Sequence, residues 1–279
     1  MSWSGGAFGE RAQCVLAPNA NPMTLDGTNT WVLREPGAGR SVVVDPGPPD
    51  ESHLAAIASA ARPVGVVLLT HHHLDHSEAA RDFASRSGCG VRALDPAYRL
   101  GSEGLTDGEV VSVDGLEIRV VGTPGHSADS LSFLLPAEDA VLTGDTVLGR
   151  GTTVVAHPDG QLGAYLDSLD RLRALAEARD VRTIWPGHGP VITDALGVLN
   201  AYIAHRHERL DQVRDTLTRL REQSSGATTG SATSSPGEPD GEGLPRRIVE
   251  IVYADVDPVL WGAAELSVRA QLAHLANRD

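Results

Sequence analysis

Apolar residues in the first two thirds of the chain fall into short runs cut by turn residues, and these alternate with stretches of helical spacing. Trp31–Arg34 and Ser41–Asp45 are β-rich runs that stop at Pro46-Gly47 and Pro48-Pro49. A helix is predicted from Glu51 to Ala61. It is followed by Gly65–Thr70, a continuous apolar run of the kind that a strand buried on both faces requires. Helical spacing resumes over Ser77–Ser87, and short strands follow near Val91–Leu94, Glu109–Val113, Leu116–Gly122, Ser130–Leu135 and Ala140–Thr143. Gln161–Ala178 places Leu162, Leu166, Leu169, Leu172 and Leu175 on one helical face; Thr183–Trp185 reads as a strand and Thr193–Arg221 as a long charged helix. The alternation predicts mixed α/β layers.

The pattern breaks at Gln223–Pro245, where Gly, Ser, Thr and Pro dominate and almost nothing can be buried, so 223–245 is expected to be a flexible linker. Beyond it, Arg246–Tyr253 reads as strand or helix. Pro258–Ala276 reads as a helix with Leu260, Ala264, Val268, Leu272 and Leu275 in phase. Residues 246–279 are too few for an independent core and must pack on what precedes them. The expected organisation is a main domain over 1–200, a connecting helix over 201–222, the linker, and a C-terminal region over 246–279.

Charge narrows the partners. Lys and Arg number 23 against 37 Asp and Glu, a formal charge of −14, which at long range repels nucleic-acid backbones and anionic lipid. Neither double-stranded DNA nor a membrane is an expected partner. Cys14 and Cys89 form no CxxC pair, so neither a disulfide framework nor a thiolate metal site is predicted. The N-terminal residues lack a basic stretch followed by an apolar one, and a reducing, cytoplasmic setting is expected.

The chemistry concentrates in Thr70-His71-His72-His73-Leu74-Asp75-His76, directly after a buried strand. In extended chain alternate residues point the same way, so His71 and His73 can share one ion while Asp75 and His76, past a bend, reach a second; His72 points away. His126 in Pro124-Gly125-His126-Ser127, Asp145 in Thr143-Gly144-Asp145-Thr146 and His188 in Pro186-Gly187-His188-Gly189 each follow a predicted strand within a Gly/Pro-rich turn. Each alone is an ordinary loop residue. Five histidines and two aspartates together make a donor set for zinc, iron or manganese rather than calcium or magnesium. Two divalent ions are expected, zinc first. Ions a few ångströms apart would lower the pKa of a shared water toward neutrality and polarise a scissile carbonyl or phosphoryl group, so hydrolysis is the expected reaction. Asp75 is the candidate catalytic residue, orienting that water or accepting its proton.

The order HHHLDH, GHS, GD and GHG, with Asp45-Pro46-Gly47 before it, resembles the motif series of the metallo-β-lactamase superfamily over residues from about 13 to 200. The resemblance implies an α/β fold, a four-layer αββα sandwich with metals at one edge. It also implies that His71, His73 and His126 hold one ion, that Asp75, His76 and His188 hold the other, and that Asp145 bridges them. Branches differ in substrate. The two-zinc β-lactamases lack the bridging aspartate, and the large RNA-processing nucleases need more chain than the 43 positions between Asp145 and His188. Glyoxalase II is close in its metal set and a glyoxalase II-like thioesterase is an alternative, although that enzyme's thiol-side contacts are not recognisable after His188. Gly27-Thr28-Asn29-Thr30-Trp31, Gly187–Val191, Tyr202–Arg206 with Arg209 and Val213, and Leu260–Ala264 with Val268 and Leu272 resemble the beta-lactamase-like protein 2 family. That family has a small C-terminal winged-helix-like region and includes a single-stranded RNA endoribonuclease and fungal thioesterases. The implied reaction is hydrolysis of an ester, thioester or phosphodiester, on a small molecule or on single-stranded RNA. Relatives with iron that act on persulfides supply an oxidoreductase alternative.

Candidate substrate contacts are Asn29, His205, Arg206 and Arg209. The last three read either as a cationic patch that receives an anionic group or as a solvated helix face paired with Glu208 and Asp211. Asn29 reads either as a polar group in the cleft or as a turn residue.

Overall fold

The computed structural model describes residues 3–61, 63–226 and 243–277. The first sheet contains β1 (Gly6–Phe8), β2 (Ala12–Leu16), β3 (Asn29–Leu33), β4 (Ser41–Val44), β5 (Val64–Leu68) and β6 (Gly90–Arg92) in sequence order. It is antiparallel as far as β4 and parallel from β4 to β6. The second sheet, β7 (Val110–Val113), β8 (Leu116–Gly122), β9 (Leu131–Leu135), β10 (Ala140–Gly144) and β11 (Thr183–Pro186), runs 11-10-9-8-7 and is antiparallel except for the β10–β11 pair.

Both faces of these strands are apolar because both are covered. Trp31, Leu33, Val42, Val44 and Leu68 point between the sheets and meet Ile118, Phe133, Leu142 and Trp185. Their neighbours Val32, Val43 and Val67 turn outward onto α1 (Glu51–Ala61) and onto α3 (Ala80–Ser87), which follows the single-turn α2 (Leu74–Ser77). The outer face of the second sheet, with Leu134, Val141 and Ile184, is covered by α4 (Leu162–Arg179) and the start of α5 (Ala195–Gly226). Four layers result, helices outside two sheets, in agreement with the fold that the resemblance implies.

The C-terminal region is helical. α6 (Leu244–Val252) and α7 (Trp261–Ala276) pack on α5 through Ile248, Val249 and Val268 against Val213, Leu217 and Leu220. The strand-or-helix ambiguity of 246–253 resolves as helix, because Leu244, Ile248, Val249 and Val252 bury one helical stripe. Most of the expected linker lies outside the described residues; its first four positions continue α5.

Two other expectations need correction. The short strands β1, at the sheet edge, and β2 beside it are absent from the predicted elements: β1 is three residues long and β2 buries only Ala12 and Cys14 fully, too little for a periodic signal. The helix expected over Ser77–Ser87 is two helices, because the chain turns immediately after the histidines, where Ser77 N donates to His73 O (3.0 Å) and Ser77 Oγ to His72 O (2.7 Å). Asp75 and His76 therefore sit on the first turn of α2. Among the described residues no helix is long and apolar enough to cross a membrane.

Trp31 of β3 and Trp185 of β11 stack across the two sheets with ring centroids 5.0 Å apart and planes 15° from parallel. Trp31→Ala should therefore cost about 3–5 kcal/mol in urea unfolding. A change within about 0.5 kcal/mol, the size of an ordinary surface substitution, would mean that the stack does not join the sheets.

Candidate metal centre

Every predicted donor lies just beyond the end of a strand at one edge of the sandwich: residues 71–76 after β5, His126 after β8, Asp145 after β10 and His188 after β11. The first group is His71 Nε2, His73 Nδ1 and His126 Nε2, with His73 Nδ1 3.1 and 3.0 Å from the other two. The second is Asp75, His76 and His188: Asp75 Oδ2 is 3.1 Å from His188 Nε2 and 3.6 Å from His76 Nε2, and the two imidazoles approach to 3.2 Å. Asp145 stands between the groups, with Oδ1 3.4 Å from His76 and Oδ2 3.4 Å from His188 and 3.8 Å from His126. Gly187 permits this crowding, since a methyl group there would lie 2.6 Å from Asp145 Oδ1.

The donor set passes a test of fit to divalent ions. Thr70 Oγ1 donates to Asp45 Oδ2 (2.6 Å), so it accepts from His71 Nδ1 (3.0 Å) and leaves His71 Nε2 bare. His126 Nδ1 donates to Val154 O (2.7 Å), His76 Nδ1 to Asp45 Oδ2 (2.9 Å) and His188 Nδ1 to Gly27 O (3.2 Å). Each outer acceptor fixes a tautomer whose other nitrogen presents a lone pair inward, the arrangement that orients metal-ligating imidazoles. A proton on His73 Nδ1 satisfies only one of the two bare nitrogens beside it. Two ligands about 2.0–2.1 Å from a tetrahedral zinc lie about 3.3 Å apart, close to the spacings found here. Asp145 Oδ1 is buried without a hydrogen-bond partner.

Charge sorts the donors the same way. Burial holds His71, His73 and His126 below the ordinary histidine range, His73 at about 4, so this trio is uncharged at neutral pH. Burial also opposes charge on His76 and His188, yet Asp145 and Asp75 outweigh it, raising His76 well above its ordinary value and His188 to about 9. Burial would raise Asp75 as well, but His76 and His188 hold it at about 2. Asp145 is held well below the ordinary carboxylate range: burial opposes this, and His188 and His76 prevail. The carboxylates thus draw positive charge to the position that a cation would take.

Asp45 is the residue whose part in the site the sequence does not disclose. Its Oδ1 accepts from Thr70 N (2.8 Å) and its Oδ2 from both Thr70 Oγ1 and His76, so one buried carboxylate orients a histidine in each group. The Asp45-Pro46-Gly47 turn after β4 is the available signal. Asn29 is not a cleft residue: it is fully buried, its Nδ2 donates to Pro186 O (2.9 Å) and Gly189 O (2.8 Å), and its Oδ1 accepts from Trp3 Nε1 (2.7 Å). It anchors the loop that carries His188.

The expected cationic patch comes apart at Arg209, while His205 and Arg206 both line one cavity. Arg209 turns to α6, donating to Val252 O and lying 4.8 Å from the centre of the Tyr253 ring. His205 is half-buried, and burial, with help from Arg206 and Arg209, lowers its pKa. Arg206 faces the same cavity as His126 and Asp145. That cavity, about 310 Å³, is walled by Leu25, Leu148 and Val154 from the main domain and by Val256, Leu260 and Ala264 from the C-terminal region.

Two family descriptions match this chain, "Metallo-beta-lactamase superfamily" over residues 23–188 and "Beta-lactamase associated winged helix domain" over 245–279. The lactamase-like protein aptB of Emericella nidulans is 36% identical over 230 residues, 80% of this chain and 71% of that protein. Among solved structures, the metallo-beta-lactamase family protein TTHA1429 of Thermus thermophilus superposes with a TM-score of 0.71 at 22% identity, covering 96% of this chain and 93% of that one. TTHA1623, solved in a di-iron-bound form, superposes at 0.51 with 26% identity over 66% of this chain and 96% of its own.

Two outcomes follow from the centre's geometry. Asp45→Ala should weaken zinc binding about 10–100-fold in a competition titration with a chromophoric chelator, the range for losing an outer partner of a ligand; unchanged affinity would remove Asp45 from the centre. Asp145 and Asp75 raise the pKa of His76 and His188, and a ligand nitrogen must be free of its proton, so metal loading should release protons. Calorimetry in buffers of different ionisation enthalpy reads that release, and a heat independent of buffer would contradict it.

Proposed function

This chain belongs to the metallo-beta-lactamase superfamily, and on that premise we propose that it is a hydrolase dependent on two divalent ions, zinc first, that cleaves small acyl thioesters or esters. The observation that carries this reading is that the donor cluster opens into one mostly apolar cavity, with His126 and Asp145 in its lining. An acyl chain gains from burying apolar surface there, whereas a nucleotide phosphate does not. The charge of −14 weighs the same way against RNA. The di-iron form of TTHA1623 supports a two-ion centre.

His71, His73 and His126 would hold one ion and Asp75, His76 and His188 the other, with Asp145 between them. Bound there, the ions supply Lewis acidity and a lowered pKa for water. The chain's own residues do the rest. Asp75 is the least enclosed of the carboxylates, with about a third of its side chain exposed and one oxygen engaged by His188, which leaves the other oxygen to hold a hydrogen bond from attacking water. Water oxygen bonds to the acyl carbon, the C–S or C–O bond breaks, the thiol or alcohol departs with a proton, and the free acid remains. The apolar wall, which shares the cavity with His126 and Asp145, would take the acyl group. The catalytic unit in this reading is residues 1–200, with 246–279 forming part of the cavity wall.

Zinc-loaded protein should hydrolyse short acyl thioesters of N-acetylcysteamine, lose the activity on chelation, and lose about 10²-fold or more of kcat in Asp75→Ala. One iron per chain with thiol-dependent oxygen consumption would overturn the hydrolase reading. Cleavage of single-stranded RNA that disappears in His73→Ala, without thioester turnover, would overturn the substrate class.

A further inference from the structure

Arg206 is unusual among the charged groups of this protein. It is 5% exposed, and among the described residues no carboxylate lies within ion-pair distance of it. Its Nη2 donates to Thr153 O, its guanidinium carbon lies 4.9 Å from the centre of the Tyr165 ring, and its buried Nε has no hydrogen-bond partner. A guanidinium removed from water with donors unspent is costly unless an anion meets it. The other arginine of the cavity, Arg150, is already paired with Asp26. The uncommitted charge therefore faces the cavity that also contains His126 and Asp145.

We infer that Arg206 is the anion-recognition subsite of this cavity, and that the preferred substrate is an acyl thioester or ester whose acyl chain ends in a carboxylate. The apolar wall takes the methylenes and the planar guanidinium takes the carboxylate at a distance from the reacting carbonyl, which fixes how far the acyl group enters. One guanidinium balances one negative charge, which matches a carboxylate better than a dianionic phosphate. This inference rests on the hydrolase reading for its reaction, but not for the subsite itself.

The test compares two N-acetylcysteamine thioesters of equal length, glutaryl, with a terminal carboxylate, and pentanoyl, without one, on zinc-loaded full-length protein and on Arg206→Gln. Wild type should favour the glutaryl thioester in kcat/KM by about 10-fold or more, the size of a charge-assisted contact. Arg206→Gln should raise KM for glutaryl by about as much, with kcat little changed and pentanoyl turnover kept within about 2-fold. Parallel loss on both thioesters would make Arg206 a support for the Thr153 loop and overturn the inference, as would a wild type that does not distinguish them. If neither thioester is hydrolysed, the hydrolase reading fails and calorimetry with glutarate decides the subsite by itself. Glutarate binding lost in Arg206→Gln sustains it, and absent or unaffected binding overturns it. Tighter binding of inorganic phosphate with the same dependence on Arg206 would overturn the carboxylate assignment.

Discussion

Carboxylates and imidazoles taken out of water together need positive charge among them. Asp145 is the point where this constraint is sharpest, because it is enclosed between two histidine groups with one oxygen lacking any hydrogen bond. The surrounding chain leaves the imidazoles little freedom. Four of the five histidines have their outer nitrogen bound to an acceptor, and two of those acceptors lead to the single carboxylate of Asp45. The inward lone pairs are a consequence of the outer hydrogen bonds, so the centre is specified by residues that never touch it.

The fold supplies these outer contacts through the ends of its strands. β5, β10 and β11 deliver donors to one edge, and the Trp31–Trp185 stack fixes the spacing of the sheets behind them. Asn29, hydrogen-bonded to the loop of His188 and to the indole of Trp3, ties the first sheet to the end of the second. The C-terminal helices then close the open side. Val256, Leu260 and Ala264 complete a cavity that the sandwich alone leaves unwalled, and they place apolar surface opposite the donors. In the proposed reading, substrate selection falls to residues far along the chain from the metal donors.

Much of this was legible in the sequence, for identifiable reasons. Burial on both faces gives strands such as β5 an unbroken apolar run, and the histidine spacing after it constrains which side chains can converge. The short β1 and β2 carry no such signal, since β1 is three residues at the sheet edge and β2 buries only two of its five residues fully. Asn29, His205, Arg206 and Arg209 are harder because a polar residue's role depends on partners distant in the chain. Asn29 finds its acceptors at Pro186 and Gly189, Arg209 finds its own on α6, and only Arg206 keeps its charge toward the cavity. Asp45 is visible as part of a turn motif, but its two-sided support of the histidines requires the register of β4 beside β5.

The most direct test of the account is the location and number of ions, read by anomalous diffraction at the metal edges from crystals grown with zinc. Two peaks are expected, one among His71, His73 and His126 and one among Asp75, His76 and His188, with Asp145 between them. A single peak, or ions held elsewhere while these side chains keep hydrogen bonds only to one another, would contradict it.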